Sequence, residues 1–73
     1  MKVLVAEDDR HTRAGLLAIL QAEGYQPLAA EDGRVAIDLF KLESPDFVCL
    51  DIMMPGVSGY DVCREIRRQD PNV

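Results

Sequence analysis

Phe47-Val48-Cys49-Leu50-Asp51-Ile52-Met53-Met54-Pro55-Gly56 carries four apolar residues straight into an aspartate, with a proline–glycine turn close behind. An unbroken apolar run of this kind suits a strand of a parallel sheet covered on both faces. Such sheets set their chemistry just beyond the carboxyl ends of their strands. Asp51 falls at that position, and Pro55-Gly56 bends the chain away from it. The stretch therefore presents one carboxylate at a strand tip, beside a loop whose backbone can approach a ligand.

A second acidic site lies near the start. Lys2-Val3-Leu4-Val5-Ala6 reads as another buried strand, and it ends in Glu7-Asp8-Asp9. Neighbouring strands lie roughly 5 Å apart. If these two are neighbours, Glu7, Asp8 and Asp51 crowd into one small space. Three carboxylates that close do not all ionise cheaply without a cation. Hard oxygen ligands at a strand edge suit Mg2+, which keeps several waters and leaves room for a phosphate.

Between and after these strands the pattern alternates. A first helix is expected over residues 10–23, capped by Asp9 and stopped by Gly24 in a left-handed conformation. Its apolar face comes from Leu16, Leu17, Ile19 and Leu20. Gln26-Pro27-Leu28-Ala29-Ala30 reads as a weaker strand, with proline at its start or on an edge. Glu31-Asp32-Gly33 turns the chain into a second helix over residues 34–42, and Pro45 forbids its continuation. After the strand at residues 47–51, Ser58 caps a third helix with Asp61 at the capping-box position, reaching about Gln69. Val62, Cys63 and Ile66 are its inward face, and Arg64, Arg67 and Arg68 its solvated one. Alternation of this kind implies an α/β fold with a parallel sheet and right-handed crossovers.

Composition narrows the function. The chain of 73 residues makes one small domain or part of one, and its 48% apolar content excludes a disordered tail. A net charge of −5, with no basic patch, argues against direct nucleic-acid contact. Cys49 and Cys63 lack metal-ligand spacing and read as reduced core residues. There is no apolar leader segment and no apolar run of membrane-spanning length, so the cytoplasm is the default compartment and no membrane contact is expected. The lone His11 reads as an exposed helix residue rather than a phosphodonor or ligand. Met53 and Met54 read as packing or backbone-donating residues rather than a soft-metal site. Glu7-Asp8-Asp9-Arg10-His11 is the opposite of a glycine-rich nucleotide loop.

Taken together, the motifs Val3-Leu4-Val5-Ala6-Glu7-Asp8-Asp9, Glu31-Asp32-Gly33 and the run from Pro45 through Asp51 to Gly59 resemble the receiver domain of two-component response regulators. The resemblance covers the whole chain, in order and with family-like spacing. It implies a flavodoxin-like (CheY-like) doubly wound sheet in the order 2-1-3-4-5, which makes the first and third strands neighbours. It also implies that Asp51 is the phosphoacceptor and that Asp8 and Asp51 bind Mg2+ directly. Glu7 would act through water, and the backbone carbonyl of Met53 would be a further ligand. The implied phosphodonor is a sensor histidine kinase, a phosphotransfer protein or a small acyl phosphate. Such a receiver is the kinase's substrate and assists its own phosphorylation; it is not an enzyme with turnover on other molecules. A dehalogenase-type phosphatase would need an aspartate two residues after its nucleophile, and that position is Met53.

Measured against the family, residues 1–73 are expected to be the N-terminal portion of a single receiver domain, βαβαβα with strands 2-1-3. The family's fourth-strand hydroxyl residue, fifth-strand lysine and aromatic switch residue are expected to have no counterpart in residues 1–73, and an output domain is expected to be absent from them. The third strand would then have an unpaired apolar edge, which invites pairing with a second copy. A homodimer through that edge is therefore expected. The alternative to a working phosphoacceptor is a half-domain that keeps the scaffold and dimerises but is impaired in phosphotransfer.

Overall fold

Three strands and three helices alternate along the chain: β1 (Lys2–Ala6), α1 (Arg10–Ala22), β2 (Gln26–Ala30), α2 (Gly33–Glu43), β3 (Phe47–Leu50) and α3 (Gly59–Gln69). The computed structural model describes residues 1–51 and 56–70. The strands form one parallel sheet in the order β2-β1-β3, as the sequence predicts. Leu4 stands opposite Leu28 on one side and Val48 on the other, and Ala6 opposite Ala30 and Leu50.

β1 is central, and its sequence shows it: Val3, Leu4, Val5 and Ala6 are all buried. Successive side chains of a strand point to opposite faces. Leu4 and Ala6 join Ala30, Ala36, Phe40, Val62 and Ile66 in the main core. α2 packs there on β1 and β2, and α3 packs on α2 and β3. α1 rests on β1 and β2. Leu4, Val5 and Val62 are the largest fully buried side chains. Each contributes about 1.5–3 kcal/mol relative to exposure.

β3 departs from the expectation of cover on both faces. Phe47 and Cys49 are exposed while Val48 and Leu50 are half-buried, so the strand alternates. The reason lies in where α1 sits. Among the described residues it packs on β1 and β2 and not on β3, and Phe47 and Cys49 are left exposed. Phe47 keeps 56% of its surface in solvent. Cys49 is accordingly not a core residue, although both cysteines are free thiols as predicted. Among the described residues β3 also has an unpaired edge.

The helix ends follow local chemistry. Asp9 caps α1 by accepting from the Thr12 N–H at 2.8 Å and from the Thr12 hydroxyl at 2.7 Å. At the other end, Gly24 has φ +88°. The Tyr25 N–H reaches Leu20 O at 3.0 Å and the Gly24 N–H reaches Gln21 O at 3.1 Å, the paired bonds of a left-handed helix stop. α2 begins one residue earlier than predicted, because Asp32 is its cap and accepts from the Val35 N–H at 2.9 Å. Ser58 caps α3 through the Asp61 N–H, and its hydroxyl donates to the Asp61 carboxylate at 3.1 Å.

Gly33 is where α2 meets the segment leading into α3. A Cβ added there would lie 2.5 Å from Val57 O and 2.8 Å from a Val62 methyl. Gly15, inside α1, has nothing within 4 Å of an added Cβ. The two positions should therefore respond to alanine with opposite signs. Gly33→Ala overpacks against backbone and is expected to destabilise by about 1–3 kcal/mol. Gly15→Ala gains helix propensity and is expected to stabilise by about 0.5–1 kcal/mol. Denaturant midpoints of the two variants against the parent check both.

Candidate functional site

The backbone brings the carboxylates together before any side chain acts. The Asp51 N–H donates to Ala6 O at 2.9 Å, extending the β1–β3 ladder by one residue. On the other side, the Glu7 N–H donates to Ala30 O at 3.1 Å. Glu7 and Asp51 thus leave adjacent strand tips side by side. One carboxylate oxygen from each of Glu7, Asp8 and Asp51 lies within 4.8 Å of the others. Glu7 and Asp51 are half-buried and Asp8 is exposed.

Crowding of like charges shows in protonation. Glu7 is raised from its ordinary 4.5 to about 7, first by a hydrogen bond with Asp51, then by burial, then by the negative charges of Asp51, Asp8 and Asp9. Glu7 therefore holds its proton to higher pH than an ordinary glutamate, beside Asp51. Asp9 moves the other way, held below the usual carboxylate range by the hydrogen bonds from Thr12. It is a helix cap, as the sequence predicts, and stands apart from the trio. An open cleft of about 210 Å³ adjoins the cluster, lined by Ala6, Glu7, Thr12, Leu16, Cys49, Leu50 and Asp51.

The trio suits a small hard cation. All its donors are carboxylate oxygens, and Mg2+ takes oxygen ligands at about 2.0–2.1 Å while retaining waters. The proton on Glu7 stands where a cation's charge would relieve the same repulsion. Of the site residues expected from sequence, Glu7, Asp8 and Asp51 converge. The fourth, Met53, lies outside the described residues, as do Met54 and Pro55. Gly56 follows with φ +76°, a conformation that favours glycine. His11 is exposed on the first turn of α1.

One participant was not read from sequence. Arg13, half-buried on α1, donates from one guanidinium nitrogen to Glu7 O at 2.8 Å and Asp8 O at 3.4 Å. No local signal distinguishes it from the exposed arginines of α3, because its partners are backbone atoms on a preceding loop.

An acidic trio at the tips of neighbouring parallel strands defines a doubly wound α/β protein with its site at the strand ends. The chain matches the response regulator receiver domain family over residues 3–73, and it belongs to that family, the receivers of two-component response regulators. It is 45% identical over 67 residues to response regulator MprA of Mycolicibacterium vanbaalenii, covering 92% of this chain and 29% of MprA. Among solved structures it is similar to response regulator TrrA of Thermotoga maritima in complex with Mg2+-BeF, with a TM-score of 0.92 and 41% identity over 96% of this chain and 61% of that one. A second structure holds TrrA with the histidine kinase ThkA; there the TM-score is 0.92 and the identity 40%, over 99% of this chain and 62% of that one. The chain thus spans less than a third of the length of the curated relatives it matches. Among the described residues no helix is long and apolar enough to cross a membrane.

The raised Glu7 pKa has a direct consequence for the metal-free protein. The folded chain holds this proton more tightly than the unfolded chain. Its contribution to stability is therefore complete below about pH 4.5 and is lost as pH rises to about 7. Glu7→Gln removes that decline. In the presence of a chelator, the stability of the variant relative to the parent is expected to grow between those two pH values, measured by denaturant unfolding at each pH.

Proposed function

We propose that this protein is a phosphoacceptor in which Asp51 takes a phosphoryl group, with Mg2+ held by Asp8 and Asp51 directly and by Glu7 through water. The observation that carries this reading is the convergence of Glu7, Asp8 and Asp51 at the tips of β1 and β3. Similarity to a receiver crystallised with Mg2+-BeF and with a histidine kinase supports it.

The chemistry follows from the placement of the aspartate. A carboxylate oxygen of Asp51 forms a bond to phosphorus as the bond from phosphorus to the donor breaks, giving an acyl phosphate. With phosphohistidine as donor the leaving group is imidazole; with a small acyl phosphate it is a carboxylate. Bound Mg2+ supplies positive charge that offsets the nucleophile, its acidic neighbours and the incoming phosphoryl oxygens. The chain's own residues do the rest. The β1–β3 ladder fixes Asp51 through its backbone N–H. Glu7 carries the proton that would otherwise compete for the pair, and its release leaves both carboxylates charged. The adjoining cleft gives the donor an approach past Thr12 and Leu16. The phosphohistidine donor would be a sensor histidine kinase or a phosphotransfer protein, and the receiver is that donor's substrate rather than an enzyme with turnover.

Intact mass after brief exposure to a small acyl phosphate and Mg2+ tests this reading. The parent is expected to gain one phosphoryl group, Asp51→Asn none, and the parent with a chelator none. A folded parent that gains nothing, or an Asp51→Asn chain labelled like the parent, contradicts it.

A further inference from the structure

Residue 13 holds three consecutive carbonyls of the loop that carries the acidic pair. Its backbone N–H takes Asp9 O at 2.9 Å as part of α1. Its guanidinium takes Glu7 O at 2.8 Å and Asp8 O at 3.4 Å. The position needs such a donor. β2 ends at Ala30, opposite Ala6, so beyond that pair the sheet offers the Glu7 carbonyl no strand partner. A carbonyl left to water leaves its peptide plane free to turn, and the side chains on either side turn with it.

We propose that Arg13 is a positioning residue for the acidic trio: by clamping the Glu7 and Asp8 carbonyls it sets the direction in which those two carboxylates face Asp51. The inference rests on the phosphoacceptor reading for its consequence, the affinity for Mg2+, but not for its geometry. The guanidinium works through the backbone rather than as a counter-charge. Its contacts in this loop are carbonyl oxygens. The arrangement is that of an outer partner to a metal site, where removal typically weakens metal binding about 10–100-fold.

The test uses Arg13→Ala and Arg13→Lys in the whole chain, with two measurements. Calorimetric titration with Mg2+ is expected to give a Kd about 10-fold weaker for Arg13→Ala. Arg13→Lys keeps the charge but shortens the reach to the two carbonyls, and is expected to be weakened several-fold. In the metal-free proteins, the carbonyl carbon resonances of Glu7 and Asp8 are expected to move in Arg13→Ala while those of β2 and α2 stay. Either variant binding Mg2+ like the parent overturns the proposal, and so does a change spread evenly over all the resonances. A parent that binds no Mg2+ overturns the phosphoacceptor reading at its metal. Localised movement of the Glu7 and Asp8 carbonyls would still establish the clamp in that case, and its absence would refute it.

Discussion

Parallel pairing of β1 with β2 and β3 is the constraint on which the site depends. The ladder fixes Ala6 opposite both Ala30 and Leu50, so the next residues, Glu7 and Asp51, leave the sheet together. A slip of one residue would turn every side chain of a strand to the other face. It would also move Asp51 away from Glu7. The opposite end of β1 is tied as well. Lys2 donates its N–H to the Asp46 carboxylate and accepts the Asp46 N–H, each at 2.9 Å, and the Gln26 N–H takes Met1 O. Register is thus held at both ends and by an apolar middle. The fold tolerates three crowded carboxylates because the burial of Leu4, Val5 and Val62, at about 1.5–3 kcal/mol each, does not depend on them. The crowding is relieved locally, by one proton on Glu7.

The same geometry explains why the site is poised and not merely acidic. Asp8 and Asp9 are sequence neighbours with different lives. Asp9 turns to the helix, accepts two hydrogen bonds from Thr12 and is held ionised. Asp8 turns toward Glu7 and Asp51. Glu7 sits between burial and like charge, which is the environment that shifts a carboxyl upward. Arg13 reaches the Glu7 and Asp8 carbonyls, and its charge helps to hold Asp9 ionised. The cluster keeps its unmet demand for positive charge.

Much of this is legible in the sequence. Apolar runs that end in acid placed β1, β3 and the carboxylates at strand tips, and Gly24 marked the end of α1. These signals are local: strand burial follows from composition, and a left-handed stop follows from glycine. What escaped reading is relational. Phe47 and Cys49 belong to an apolar run, yet they are exposed because α1 leans on β1 and β2. Only tertiary packing decides that. Asp32 looked like part of a turn, and its capping of α2 depended on where the helix begins. Arg13 could not be singled out, since its bonds go to backbone atoms six and five residues earlier. The proton that Glu7 holds beside Asp51 requires the distance between them, which spacing along the chain does not contain.

Mg2+ titration by calorimetry at pH 7, in two buffers of different ionisation heat, tests the central claim most directly. The account predicts binding coupled to proton release, because the Glu7 carboxyl is raised to about 7 by Asp51 and burial and gives up its proton as the cation takes over the charge. Binding without proton release, or no binding by a folded chain, would contradict it.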